Sequence, residues 1–277
     1  MEWQQSTATA RSTQTSKRHS FFLYLNTRSQ SNTFLYIGYL YYSMGDVCQQ
    51  CGNEYKSIGQ HWSQNSSCSH PSFTNYQKEI ITGLLMGDGS INNCGKNPYI
   101  RVGVISPNYL EYVSDQFGVL GGEVCLRQTA EESAKHDRDR GFSPNAKKEN
   151  YSDVYFWQSM CHPELQKFAD WYSSGKKVWP ADIELTPTVL KHWYCGDGYW
   201  DNNHYNNHIR IAMANEIDNT DKVDQMFRNV GLPVPSNYAI SESNCVATFT
   251  VEQSKELWKY MGEPLPDFEY KWPERFH

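Results

Sequence analysis

Short amphipathic runs, each bounded by a polar or turn-forming residue, divide most of this chain into helices and strands. A helix is predicted to open at Thr74-x-x-Gln77, a capping-box pattern, and to carry an apolar run as far as Gly89. Another opens at Thr186-Pro187, an N-cap followed by proline at the first helical position, and runs to Gly198. In both, the closing glycine is expected to take the left-handed turn that ends a helix. Strict alternation follows each helix. Ile100, Val102 and Val104 share one strand face against Arg101 and Gly103; Ile209, Ile211 and Met213 stand against Arg210 and Ala212. Ser106-Pro107 begins a further helix, with Leu110, Val113 and Phe117 on its buried stripe. Residues 154–157 and 246–251 read as strands, and 165–172 and 255–261 as short helices. The fold class is α+β, with helices covering one face of an antiparallel sheet.

That order occurs twice. ITGLLMGDGSI at 81–91 returns as LKHWYCGDGYW at 190–200, and IRVGV at 100–104 returns as IRIAM at 209–213. Both pairs are offset by 109 positions (88 to 197, and 100 to 209). Val113, Phe117 and Gly121 match Val223, Phe227 and Gly231, and Trp179-Pro180 echoes Trp272-Pro273, each preceded by a lysine within two residues. A period near 110 (113 to 223) is too long for a solenoid, so two copies of a small domain are implied.

Composition adds constraints. The 277 residues carry 25 basic and 31 acidic side chains, which excludes a uniformly basic nucleic-acid coat but leaves room for a local basic groove. No apolar run approaches about 20 residues, so no membrane span is expected. Residues 1–43 are rich in Ser, Thr and Gln, hold Arg11, Lys17, Arg18 and Arg28 against Glu2, and end in a Tyr-rich, Gly-broken run that lacks a signal peptide's aliphatic core. They read as a disordered extension, with Met44 a candidate start. Three of the eight cysteines crowd into 48–68 and the other five are scattered, a distribution that favours one metal site in a reducing cytoplasm over a disulfide scaffold. The expected division is 1–43 extension, 44–72 knuckle, 73–184 first repeat and 185–277 second repeat.

The Gly-Asp-Gly pair carries the chemistry. A carboxylate at a helix C-terminus meets carbonyls that are already partly negative, so two such carboxylates call for a compensating cation. Gly83 and Gly87 would let a second backbone approach closely. If the two helices pack side by side, Asp88 and Asp197 meet at their common end and form a hard-oxygen site suited to Mg²⁺ and in-line phosphodiester hydrolysis.

These residues resemble the LAGLIDADG homing endonucleases: residues 81–89 and 190–198 align with the nine-residue signature, and Leu185-Thr186-Pro187 precedes the second copy. The resemblance spans roughly 73–277. It implies a duplicated αββαββα fold with pseudo-twofold symmetry, acting as a monomer. Two signature helices would lie at the centre and two antiparallel saddle sheets in the major groove of double-stranded DNA. It places catalytic Mg²⁺ on Asp88 and Asp197. Met86 departs from the signature at a position that is not a ligand. His192 stands where a helix-packing glycine belongs, so a looser central contact is expected there.

Further candidates lie on the strands and the connecting segments. Arg101 and Arg210, on the polar face of duplicated strands, are candidates for phosphate or base contacts. The stretch 129–150, with Lys135, Arg138, Arg140, Lys147 and Lys148 among five acids and no apolar stripe, reads as an exposed loop. Lys176, Lys177 and Lys271 precede the Trp-Pro echoes, and of these Lys177 and Lys271 are the candidates to steady transition-state charge.

Upstream, residues 48–70 read Cys-x2-Cys-x9-His-x6-Cys-x-His. Cys48, Cys51, His61 and Cys68 form a three-sulfur, one-nitrogen set suited to structural Zn²⁺, with Gly52 shaping the knuckle and His70 as a spare ligand. Three rivals remain to the reading of a Mg²⁺-dependent DNA endonuclease. A non-cleaving maturase or transcription factor on the same scaffold fits poorly with two retained aspartates. A two-carboxylate glycosidase would not duplicate both carboxylates. An intein would need a splice-start Cys or Ser and a terminal Asn, where this sequence ends Arg275-Phe276-His277; a free-standing or intron-encoded protein is favoured.

Overall fold

The computed structural model describes residues 45–65, 67–202 and 207–273. The expected extension over 1–43 and the candidate start at Met44 lie outside these residues. The chain opens on a small hairpin, β1 (Asp46–Val47) and β2 (Glu54–Tyr55), followed by α1 (Ile58–Gln64). Its turn depends on Gly52, whose φ of +75° is costly for other residues, and Gly52 N–H donates to Cys48 O at 2.7 Å.

The first half then runs α2 (Asn75–Met86), β3 (Ser90–Cys94), β4 (Asn97–Val104), α3 (Pro107–Phe117), β5 (Cys125–Gln128), α4 (Ala130–Asp139), β6 (Val154–Gln158) and α5 (Gln166–Ala169). In the second half the order is α6 (Pro187–Asp197), β7 (Gly198–Asp201), β8 (His208–Ala212), α7 (Thr220–Asn229), β9 (Asn237–Ile240), β10 (Cys245–Thr248) and α8 (Val251–Met261). Each half forms one four-stranded antiparallel sheet of the same topology, β3-β4-β6-β5 and β7-β8-β10-β9. The duplicated α+β architecture is therefore present, and among the described residues α4 of the first half has no counterpart in the second. No helix among the described residues is long and apolar enough to cross a membrane.

Local sequence accounts for most helix starts. Thr74 accepts from Gln77 N–H while Gln77 reaches back, and Thr250 with Gln253 does the same for α8. Thr186 caps α6 ahead of Pro187. The strand alternation is also as expected: Ile100, Val102, Ile209 and Ile211 are buried beneath the helices, and Arg101 and Arg210 face the other way. Trp157, Trp179, Trp193, Trp258 and Trp272 are all fully buried, so the high aromatic content builds the core.

Three expectations need correction, and one feature is new. Residues 129–150 are not simply an exposed loop: α4 forms there, because Thr129 and Glu132 make a capping box, Asp153 accepts from Ala130 N–H, and Ala134 is buried. Val251 belongs to α8 and not to the preceding strand, since Thr250 caps the helix. Neither Gly89 nor Gly198 takes a left-handed conformation. Both are glycine because there is no room: a Cβ on Gly89 would lie 2.6 Å from Leu84 O, and one on Gly198 would collide with the Tyr194 ring. Finally, Cys161 is disulfide-bonded, a cross-link that cysteine spacing does not announce.

Candidate functional site

Helices α2 and α6 cross between the two repeats, where glycine removes the side chains that would hold them apart. A Cβ on Gly83 would lie 2.6 Å from both His192 Cβ and Val189 O, and Gly87 stands opposite Gly196. His192 does not loosen this contact. It occupies the notch that Gly83 leaves, is 2% exposed, and hydrogen-bonds through Nδ1 to Tyr109 Oη at 2.7 Å. Burial, with a smaller push from Lys191, pulls its pKa down to about 3, so the ring is neutral.

The crossing brings the two Gly-Asp-Gly segments together. A Cβ on Gly196 would stand 3.1 Å from Asp88 N and 3.4 Å from Asp88 Oδ2, so Asp88 lies against the backbone that carries Asp197. Burial pushes Asp197 up to about 7, and the charge of Asp88 adds to it while Lys177 and Lys271 oppose. Asp88 is raised too, again by burial and against the same two lysines. Two carboxylates that resist joint ionisation, in a partly desolvated site, have the donor set for a divalent cation.

Both candidate lysines arrive at this point by symmetric routes. Lys177 Nζ donates to Gly87 O at 2.8 Å and Gly89 O at 3.4 Å. Lys271 Nζ donates to Cys195 O and Gly198 O, both at 2.6 Å, and to Tyr194 O at 3.4 Å. Each lysine thus binds the orphan carbonyls at the C-terminal end of its own half's central helix and offsets the negative end of the helix dipole. Part of the compensating cation is therefore lysine. Burial lowers both pKa values while the aspartates raise them. Lys176 is exposed and takes no part.

The two strand arginines differ. Arg101 lies across the outer sheet face, its guanidinium 5.7 Å from the Tyr99 ring and 5.4 Å from the Phe156 ring, and donates to Gln158 Oε1 at 3.2 Å. Arg210 is the corresponding residue but is paired: its guanidinium lies 3.2 Å from Asp201 Oδ2, and its Nε donates to His208 Nε2 at 3.1 Å. Asp201 and His208 sit two strand positions along, and spacing alone does not mark them; the alternation that turns Arg210 to the outer face turns them there too, where both side chains are largely buried. Arg127, which is exposed, stands beside Gly103 on the outer face of the first sheet.

In the knuckle, Sγ of Cys48, Cys51 and Cys68 and a ring nitrogen of His61 all lie within 4.8 Å of one another. His70 is not among them: it tilts against Trp62 and meets His162 edge-on. Burial alone would push the Cys48 thiol up, but donors from Cys51, Trp62, Gln50 and His61 outweigh it and bring the pKa to about 6. Burial and the neighbouring cysteines push Cys68 up to about 11. Soft sulfur ligands whose charges repel, gathered round one point, fit a tetrahedral d¹⁰ cation. The knuckle shares its core with the first half through Ile58, Trp62, Cys68 and Phe73.

Comparison with known proteins agrees with this architecture. No curated protein sequence matches. Among solved structures, the homing endonuclease I-WcaI bound to its DNA recognition sequence is similar at 15% identity and a TM-score of 0.59, over 79% of this chain and 93% of that one. At that identity the likeness is one of fold. I-DmoI in complex with DNA and Mn (13%, TM-score 0.41, 67% and 96%) and full-length DUF199/WhiA from Thermatoga maritima (10%, 0.45, 70% and 58%) are also similar. The model of the LAGLIDADG DNA endonuclease family matches residues 78–229, more than half of the sequence, from α2 through both Gly-Asp-Gly segments to α7. The chain belongs to the LAGLIDADG DNA endonuclease family.

Proposed function

We propose that this chain is a site-specific endonuclease that acts as a monomer and hydrolyses both strands of double-stranded DNA. The observation that carries the reading is the convergence of one aspartate and one lysine from each half at the α2–α6 crossing. Asp88 and Asp197 would hold Mg²⁺, which would supply water activation and charge neutralisation for phosphodiester hydrolysis. Asp197 must lose its proton before the pair can hold a cation, so cation binding and proton release are linked. Lys177 and Lys271 are held by backbone carbonyls, which keeps their charge in place before any phosphate arrives. Arg101 and Arg210 contact the DNA backbone or base edges from the two outer sheet faces. Cys48, Cys51, His61 and Cys68 hold a structural Zn²⁺ that fixes residues 44–72 against the first repeat, 73–184, with the second repeat over 185–277.

A randomised duplex library incubated with the protein and Mg²⁺, then sequenced at its newly formed ends, tests the activity. Enrichment of one cut site, abolished by EDTA, is the expected result. Ends scattered like those of a protein-free control would overturn the reading.

A further inference from the structure

We propose that each half of the molecule positions the active-site lysine of the other, through two reciprocal grips. The functional consequence rests on the endonuclease reading; the geometry does not.

Lys177 lies on the segment that leaves the first half and leads into α6. Two residues later, the backbone of Trp179 is held on both sides by the second half. Trp179 N–H donates to Glu216 Oε1 at 2.7 Å, and Lys222 Nζ donates to Trp179 O at 2.8 Å. Glu216, fully buried after β8, and Lys222 of α7 form an ion pair at 2.5 Å. The Trp179 ring meets Trp193 of α6 edge-on, with centroids 5.1 Å apart. The mirror relation occurs at the other end. Asp267, four residues before Lys271, accepts from Asn108 N at 2.9 Å and Asn108 Nδ2 at 2.7 Å, and Asn108 lies in the first turn of α3 in the first half. Phe268 packs edge-on to Tyr109 of the same helix, and Lys271 Nζ lies 4.9 Å from the Phe268 ring.

Two features set these grips apart from ordinary packing. A buried ion pair contributes little net stability compared with an apolar replacement, so a pair that closes on the N–H and C=O of one residue acts by fixing position. Asp267 has φ +67°, the one positive φ on a non-glycine residue among the described residues. That cost is tolerated where the surroundings dictate a conformation, and here it presents both carboxylate oxygens to Asn108. A lysine has four rotatable side-chain bonds, and anchoring the backbone two to four residues away limits where its Nζ can be. Glu216, Lys222, Asn108 and Asp267 are thus positioning residues that act through Lys177 and Lys271.

The test reads lysine position directly and needs neither DNA nor metal. The full chain is trace-acetylated with acetic anhydride, and labelling of Lys177 and Lys271 is quantified by mass spectrometry. Glu216→Leu with Lys222→Met replaces the buried pair by apolar side chains. Asp267→Gly removes the second grip while easing its backbone, at a site with part of its surface in solvent. The first change should raise Lys177 labelling about fivefold or more, the loss of roughly one hydrogen bond's worth of restraint, and leave Lys271 within about twofold. Asp267→Gly should do the reverse, and Asp267→Asn, which keeps an acceptor and tolerates positive φ, should restore the wild-type pattern. No change in either lysine, or an equal rise in both as general loosening would give, overturns the proposal. Once a cut site is known, the Glu216/Lys222 change should cost no further rate in a Lys177→Met background. Failure of the wild-type protein to cut DNA would count against the endonuclease reading alone, since the labelling pattern is measured without it.

Discussion

The side chain of His192 fills the space that Gly83 leaves open: a Cβ on Gly83 would lie 2.6 Å from His192 Cβ. This pairing makes the central crossing asymmetric, glycine from one helix and imidazole from the other, and the Tyr109 hydroxyl completes it. Gly83→Ala should therefore push the helices apart and cost about 1–3 kcal/mol of overpacking. At Gly87 the nearest atom, Gly196 Cα, is 3.4 Å from the would-be Cβ, an ordinary contact. There Ala should change stability by less than about 1 kcal/mol. Urea unfolding of both variants checks the contrast, and equal costs would mean that the helices do not meet at Gly83.

Asp197 ties stability to pH. Its folded pKa, about 7, lies above the ordinary value of 3.8, first because of burial and then because of Asp88. A carboxyl raised in this way stabilises the fold while protonated; that contribution is whole below about pH 4 and is lost as pH rises through about 7. Metal-free protein should show a falling Tm between pH 5 and 8, and Asp197→Asn should flatten the fall. Mg²⁺ should raise Tm more at pH 8 than at pH 5, because only the ionised pair holds it. A pH-independent Tm in the wild-type protein would mean that the pair is fully solvated.

The knuckle should bind one zinc per chain, measurable by elemental analysis of protein purified without added metal. Cys51→Ser should release it and unfold residues 45–70, as seen by faster hydrogen exchange there, while β3 to β10 stay protected. Because Ile58, Trp62 and Cys68 share the core of the first half, a loss of Tm is also expected. Zinc-free wild-type protein with an unchanged exchange pattern would remove the metal from the account.

Some of this was legible in the sequence. Alternation encodes strand faces directly, so it puts Arg101 and Arg210 on the side away from Ile100 and Ile209, and the repeated Trp-Pro marks Lys177 and Lys271. Helix α4 is silent in hydrophobic periodicity because only Ala134 on it is buried; the Thr129-x-x-Glu132 signature is what marks its start. The roles of Gly89 and Gly198 depend on which atoms fold back on them, and the Arg210–Asp201 pair on strand register. Neither follows from spacing alone, nor do the grips on Trp179 and Asp267, whose partners lie far away in the chain.

That pairing changes what is expected of the two arginines on DNA. Arg101→Ala should flatten the dependence of log affinity on log salt by about one if its guanidinium meets a phosphate. Arg210 starts partly neutralised by Asp201. Asp201→Asn should therefore strengthen binding and steepen the salt dependence, an effect that Arg210→Ala in the same chain removes. Binding isotherms across a salt series check both. Weaker binding in Asp201→Asn would mean that the carboxylate serves the complex and does not mask the arginine.

The central claim is that Asp88 and Asp197, one from each repeat, form a shared cleavage centre. Single-turnover cleavage of the selected site by Asp88→Asn and Asp197→Asn, with DNA affinity measured in parallel, tests it most directly. The account predicts that each variant binds the site within about tenfold of wild type and loses double-strand cleavage by about a hundredfold or more, as removal of a metal-holding group from a cleavage centre implies. Wild-type cleavage rates in both variants at unchanged affinity would contradict it.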